Sequence, residues 1–290
     1  MGSPFLAETA VARTAPGRYQ GTIAEVWNLR PLPQGGIVTA LALRAMADAL
    51  AHPDQRLRTL HTAFVAQVAH GPVVIDVELL RAGRSMSHLR AEVRNPGAER
   101  GHVTTAVFGS TRTGFSFTDL EPPASRPHPE ECPSFRDPPP PGVAPFPPMP
   151  FWTDRVEGRP VLGHAPWEVY EPDRAERAMW YRFDEPPVLE DGTLDPLAAV
   201  VLADTMPGAV GERVGPQERM WFAPSVDLTV HLLDDWRSPW LLAHNRARYA
   251  GDGYASADMA LWDCGPNTDD EPRLVAYATQ LFLFTFPPAL

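Results

Sequence analysis

An internal duplication narrows the possible folds more than any other feature. Gly71-Pro72-Val73-Val74 matches Ser238-Pro239-Trp240-Leu241, and Leu80-Arg81-Ala82-Gly83 matches Ala247-Arg248-Tyr249-Ala250. His102-Val103-Thr104-Thr105-Ala106 matches Leu274-Val275-Ala276-Tyr277-Ala278. The matches keep one order at a spacing of roughly 170 residues, and two units are far too few for a solenoid. The chain therefore reads as two similar subdomains sharing one sheet.

The first unit follows a lead-in up to about residue 17 that carries no structural signal. Residues 19–27 alternate weakly and predict a strand. Pro31-Leu32-Pro33-Gln34-Gly35-Gly36 is a turn, and apolar residues at helical spacing then run to Leu50. Arg44 and Asp48 form an i, i+4 pair on its wetter side, and His52-Pro53-Asp54 ends the helix. Strand patterns follow at residues 58–68, 73–80, 87–94 and 102–109, with Arg81-Ala82-Gly83-Arg84-Ser85 as a turn. One helix followed by an antiparallel meander is an α+β pattern. The second unit has strand patterns at 178–183, 225–233, 240–249, 254–262 and 274–286 around its own helix. Between the units, residues 121–150 are dominated by proline, including Pro138-Pro139-Pro140-Pro141 and Pro145-Phe146-Pro147-Pro148. Such a stretch forms neither helix nor central strand and predicts an extended connector. The expected division is 18–120, 121–150 and 151–290.

The second unit's helix is Asp195-Pro196-Leu197-Ala198-Ala199-Val200-Val201-Leu202-Ala203-Asp204-Thr205-Met206-Pro207. Asp195 suits the N-cap, Pro196 the first turn, and Pro207 stops or bends the helix. A helix apolar on every face is buried, so Asp204 must be hydrogen-bonded, paired or protonated. A capping or salt-bridged aspartate and a catalytic carboxylate both fit that requirement. Gln280 stands in the apolar strand Leu281-Phe282-Leu283-Phe284, where a polar side chain needs a reason. Asp252 in Gly251-Asp252-Gly253 is a turn residue. Asp227 is expected to point outward or to pair with an arginine.

Composition excludes several classes. The net charge of −11 argues against nucleic-acid binding, and every basic residue is arginine. No apolar run reaches about 18 residues, so no membrane span is expected. The N-terminus has no basic region followed by an apolar one, so no export signal is expected and the cytoplasm is the default. Cys132 and Cys264 are too few and too far apart to predict a metal site or a disulfide framework.

Taken together, several motifs resemble those of the bacterial acyl-CoA thioesterase II (TesB-like) family. They are Gly35-Gly36 opening a buried helix, His61-x-x-Phe64, Val77-Glu78-Leu79-Leu80-Arg81-Ala82-Gly83-Arg84-Ser85, and Leu274-Val275-Ala276-Tyr277-Ala278-Thr279-Gln280. The resemblance runs from about residue 20 to the C-terminus outside the connector. It implies a double hotdog: two long helices, each wrapped by an antiparallel sheet, joined into one extended sheet. It implies hydrolysis of an acyl thioester to a free acid and thiol, with no cofactor beyond the CoA of the substrate. The family's catalytic Asp, Thr or Ser, and Gln fall on Asp204, Ser225 and Gln280. Bottom-up chemistry agrees, with Asp204 as general base and Ser225 and Gln280 orienting the water; direct attack by Asp204 to form an anhydride is the alternative. Taken alone, Ser225 could also simply start a strand.

Gly35, Gly36 and His61 are expected at the substrate, with the Gly36 N–H as an oxyanion donor, although a tight loop entering a buried helix is the other reading of Gly35-Gly36 and a hydrogen-bonded core histidine that of His61. Two departures stand out: Ala66-Gln67 replaces a common Arg-Pro, and Leu232-Leu233-Asp234-Asp235 places acids where CoA phosphates would be repelled. The partner is thus an acyl-CoA or an acyl-carrier thioester, and a homodimer or higher oligomer is expected. A hotdog hydratase or dehydratase, a tailoring enzyme of secondary metabolism and an inert acyl-binding protein stay open; His61 beside Asp204 would favour the first of these.

Overall fold

The computed structural model describes residues 3–29, 31–143, 149–216, 220–265 and 270–286; the Pro145–Pro148 part of the connector lies outside them. Among the described residues, a single antiparallel sheet of twelve strands organises the chain. Its N-terminal strands are β1 (Ala12–Ala15), β2 (Arg18–Ile23), β3 (Arg56–Phe64), β4 (Gly71–Arg81), β5 (Met86–Arg94) and β6 (His102–Gly109). The C-terminal strands are β7 (Val156–Leu162), β8 (Glu176–Phe183), β9 (Asp227–Leu232), β10 (Trp240–Gly251), β11 (Tyr254–Asp263) and β12 (Arg273–Leu283). The order is β1-β2-β4-β5-β6-β3-β9-β12-β11-β10-β8-β7. Reading outward from the centre, both halves use one order, so β3, β6, β5, β4 and β2 correspond to β9, β12, β11, β10 and β8. The halves meet where β3 pairs with β9, in the register Thr59↔His231 to Ala63↔Asp227.

One helix of the N-terminal half, α2 (Gly35–Leu50), is 16 residues long and buried from Gly36 to Leu43. It ends where Ala51 turns left-handed, one residue before His52-Pro53. Its counterpart corrects the expectation of two long helices. α4 (Pro196–Ala203) has eight residues, and the chain breaks at Asp204–Pro207 before α5 (Gly208–Val214). Proline supplies no backbone N–H for an i−4 bond, so the ladder stops there. Asp195 caps α4 by accepting from Leu197 N at 2.9 Å. α2 and α4 lie against each other.

Two further expectations are corrected by long-range contacts, and a third gains a packing role. The lead-in is ordered: α1 (Pro4–Glu8) buries Phe5 against Trp27 and Phe183, and β1 pairs with β2. Arg44 does not pair with Asp48. It ion-pairs with Asp195 of the other half, while Asp48 accepts from the Tyr19 hydroxyl at 2.8 Å. The proline-rich connector is more than a tether. Pro127 O accepts from Trp180 Nε1 at 3.0 Å, Phe135 N donates to Gly158 O at 2.9 Å, and Cys132 is buried. Its cover turns Trp180, Trp240, Trp262 and Cys264 into a second core on the face of the sheet opposite the helices. Among the described residues, no helix is long and apolar enough to cross a membrane.

Candidate active site

Asp204 occupies the C-cap of α4, at the point where Pro207 forces the break, and is 7% exposed. Two strands bring polar groups to its Oδ1. Gln280, 2% exposed, sits on the helix-facing side of β12 with Ala278 and Phe282, and its Nε2 donates to Oδ1. Ser225 lies just before β9, held by a single bridge to Phe282, and its Oγ donates to Oδ1 at 3.1 Å. Gln280 Nε2 also donates to Ser225 Oγ at 2.9 Å, which closes the triangle. Gln280 Oε1 is buried and has no partner among the described residues, so one acceptor in the cluster is left for a water or a substrate donor.

The other carboxylate oxygen faces the N-terminal half. Gly36 N donates to Asp204 Oδ2 at 3.0 Å. Glycine is required here by close approach. A Cβ on Gly36 would stand 2.7 Å from Val201 Cα and 2.8 Å from Val200 O. One on Gly35 would stand 2.5 Å from the Phe64 ring and 2.9 Å from Asp204 Oδ2. Burial pushes the Asp204 carboxyl up to about 6, against hydrogen bonds from Ser225, Gln280, Gly36 and Gly35 that pull it down.

The structure brings Asp204, Ser225, Gln280, Gly35 and Gly36 together. Two expectations change. The Gly36 N–H is taken by Asp204 and is not a vacant oxyanion donor. His61 is exposed, on the outer face of β3, with Nδ1 3.0 Å from Thr229 Oγ1. Its neighbours Leu60 and Thr62 are buried on the helix side, and strand alternation turns His61 away. It is therefore neither a core histidine nor beside Asp204. Asp227 uses Oδ1 to accept from Leu281 N at 2.8 Å. Asp252 and Gly253 both have positive φ, the backbone of a tight hairpin turn. Asp234 and Asp235 lie beyond the end of β9 remote from Ser225, paired with Arg273 at 3.0 Å and Arg56 at 2.6 Å. Each of these acids is thus offset by an arginine partner.

Sequence reasoning missed Gln34, which is 1% exposed. Its Oε1 accepts from Ile37 N at 3.0 Å, and its Nε2 donates to Val201 O at 2.7 Å and Asp204 O at 3.2 Å. The available signal was a polar residue at an N-cap directly before Gly35-Gly36. A buried carboxyl raised to about 6, beside a hydroxyl and an amide, can hold a water and take its proton.

Residues 23–109 match the acyl-CoA thioesterase N-terminal domain family, and residues 129–284 match the acyl-CoA thioesterase C-terminal domain family. No curated protein matches significantly. Among solved structures, a hotdog-fold protein of unknown function from Alicyclobacillus acidocaldarius is 27% identical, covering 99% of this chain and 100% of that one, with a TM-score of 0.79. A putative thioesterase from Novosphingobium aromaticivorans is 23% identical over 94% of this chain and 98% of that one, TM-score 0.72. Acyl-CoA thioesterase II TesB2 from Mycobacterium marinum is 21% identical over 98% of both chains, TM-score 0.73. With both domain families matched in order over most of its length, the chain belongs to the acyl-CoA thioesterase family and is a thioester hydrolase of hotdog fold.

Proposed function

We propose that this chain hydrolyses an acyl-CoA thioester to a free acid and CoA by general-base catalysis at Asp204. Water held by Ser225 and Gln280 gives a proton to the Asp204 carboxylate as its oxygen attacks the thioester carbonyl. The C–S bond then breaks, and the proton on Asp204 goes to the departing thiolate. The thiolate is a good leaving group, so one carboxylate serves as base and then as acid. The observation that carries this reading is the closed triangle of Asp204 Oδ1, Ser225 Oγ and Gln280 Nε2, with Gln280 Oε1 left over. The reaction calls on no cofactor beyond the CoA of the substrate. A hydratase reading would need a histidine beside the carboxylate, and His61 is on the opposite face.

The same reading makes the protein a homodimer or higher oligomer, because among the described residues β1 and β7 end the sheet as open edges; the cytoplasm is its expected location. Light scattering at micromolar concentration checks the oligomer, and a strict monomer would refute it. The central test is thiol release from a panel of acyl-CoAs, from short to long and branched. Asp204→Asn is expected to lower kcat by about 10²–10⁴-fold, the usual range for a lost general base. Wild-type turnover in a folded Asp204→Asn variant would remove Asp204 from the chemistry. Ligand binding without turnover in the parent would make the chain an acyl-binding protein.

A further inference from the structure

Gln34 stands 170 residues before Asp204, in the other half of the molecule, and is buried. A buried primary amide has an acceptor and two donors to satisfy. All of them go to backbone. Oε1 caps α2 through Ile37 N, and Nε2 reaches across to Val201 O and Asp204 O at the last turn of α4. N-caps are ordinarily short side chains, Ser, Thr, Asp or Asn, which reach only their own helix. Glutamine is longer, and here the extra length is what spans to the second helix.

That span lies beside the carboxylate. Gln34 holds the carbonyl of Asp204, and two residues later Gly36 N holds its Oδ2. Both contacts come from the first turn of α2, whose geometry the Gln34–Ile37 bond fixes. We infer that Gln34 is a positioning residue of the reaction: it anchors the backbone of Asp204 and keeps the Gly36 N–H on Oδ2, leaving Oδ1 to Ser225 and Gln280. The catalytic carboxylate belongs to the C-terminal half, and its aim is set by the N-terminal half. This rests on the proposed role of Asp204 as base. The groups that face the carboxylate are Ser225, Gln280 and the Gly35 and Gly36 amides, none of them titratable near neutrality.

The discriminating variant is Gln34→Asn in the full chain. Asparagine is among the best N-caps, so it keeps the bond to Ile37 N, and it is one methylene too short for the α4 carbonyls. Gln34→Met, which keeps the length and loses every hydrogen bond, is the second variant. Two readouts are taken. One is the titration midpoint of the Asp204 carboxyl, from ¹³C-aspartate spectra with the Asp204→Asn protein identifying its resonance. The other is kcat and KM for thiol release across pH. In both variants the midpoint is expected to rise from about 6 by up to about one pH unit, as the Asp204 backbone, released from the Gln34 amide, shifts and Oδ2 meets the Gly36 N–H less squarely. Correspondingly, kcat should fall more at pH 6 than at pH 8, with KM unchanged, while Gln34→Asn melts close to the parent. An unmoved midpoint, with activity falling by one factor at every pH or not at all, would make Gln34 a cap and nothing more. If Asp204→Asn keeps its activity, the general-base reading fails. The midpoint still decides whether Gln34 positions the carboxylate.

Discussion

Four donors surround the Asp204 carboxylate, from Ser225, Gln280, Gly36 and Gly35, and in solvent so many would lower a carboxyl well below its usual range. Burial outweighs them, and the group titrates near 6. A carboxyl whose folded value exceeds its unfolded one stabilises the fold most when protonated. That contribution is complete below about pH 4 and is lost as pH rises through about 6. A difference of about two pH units corresponds to about 3 kcal/mol. Urea titrations of the parent and of Asp204→Asn from pH 4 to 8 should therefore diverge, the parent losing up to about 3 kcal/mol relative to the variant. Parallel curves would mean that Asp204 is ionised without penalty. If Asp204 is the base proposed above, the rate runs the other way, since a base must be ionised, and kcat should fall as pH drops through about 6. At this scale the sequence was partly legible. Asp204 and Gln280 stood out as polar groups in apolar segments. Ser225 needed the family resemblance. Gln34 was invisible because its partners lie on another helix, and His61 was misplaced because a motif does not say which face of a strand it uses.

At the scale of elements, the contact between α2 and α4 matters most. The first helix was readable from apolar spacing, the second from its unbroken apolar run, Asp195 from cap chemistry and the break from Pro207. What could not be read was their mutual approach, since periodicity describes one helix at a time. Arg44 illustrates the point. Local spacing offers Asp48, and the fold offers Asp195, the buried cap of the other helix. The approach is close because Gly36 has no side chain. Gly36→Ala would put a methyl carbon 2.7 Å from the Val201 backbone, which has no flexible atom to give way. The helices must separate, at a cost of about 1–3 kcal/mol for an overpacked core. The move also lifts the Gly36 N–H from Oδ2. Gly36→Ala is therefore expected to lower kcat by more than the stability loss explains, measured on protein shown to be folded at the assay temperature. A stable variant with parental kcat would show that the site tolerates wider helix spacing.

The whole molecule depends on one seam. The sheet would have two open edges at its middle if β3 and β9 did not pair, and each half would expose a row of unpaired backbone groups. The duplication was legible because strand alternation survives in both copies. That the halves share one sheet was legible too; which strands form the seam was not, because pairing β3 with β9 depends on register between segments some 170 residues apart. Nor was the cover that the connector gives to Trp180, Trp240 and Trp262, since proline-rich composition reads as linker whatever it lies on. The apolar core is continuous across the seam, with Leu60 of β3 opposite Val230 of β9, both buried. Two halves that share a sheet, a core and a helix–helix contact should unfold as one unit. Calorimetry is expected to give a single transition, coincident with loss of tryptophan fluorescence and of sheet signal. Leu60→Ala removes about three carbons at the seam and should lower stability by about 2–5 kcal/mol, as for other buried leucines. The informative result is how it does so. If the halves are one cooperative unit, the transition moves down intact. If they are separable, the substitution splits it, and the C-terminal half melts alone at its parental temperature. That outcome would mean that the contacts reaching Asp204 from Gln34 and Gly36 are not coupled to the stability of the half that carries the carboxylate.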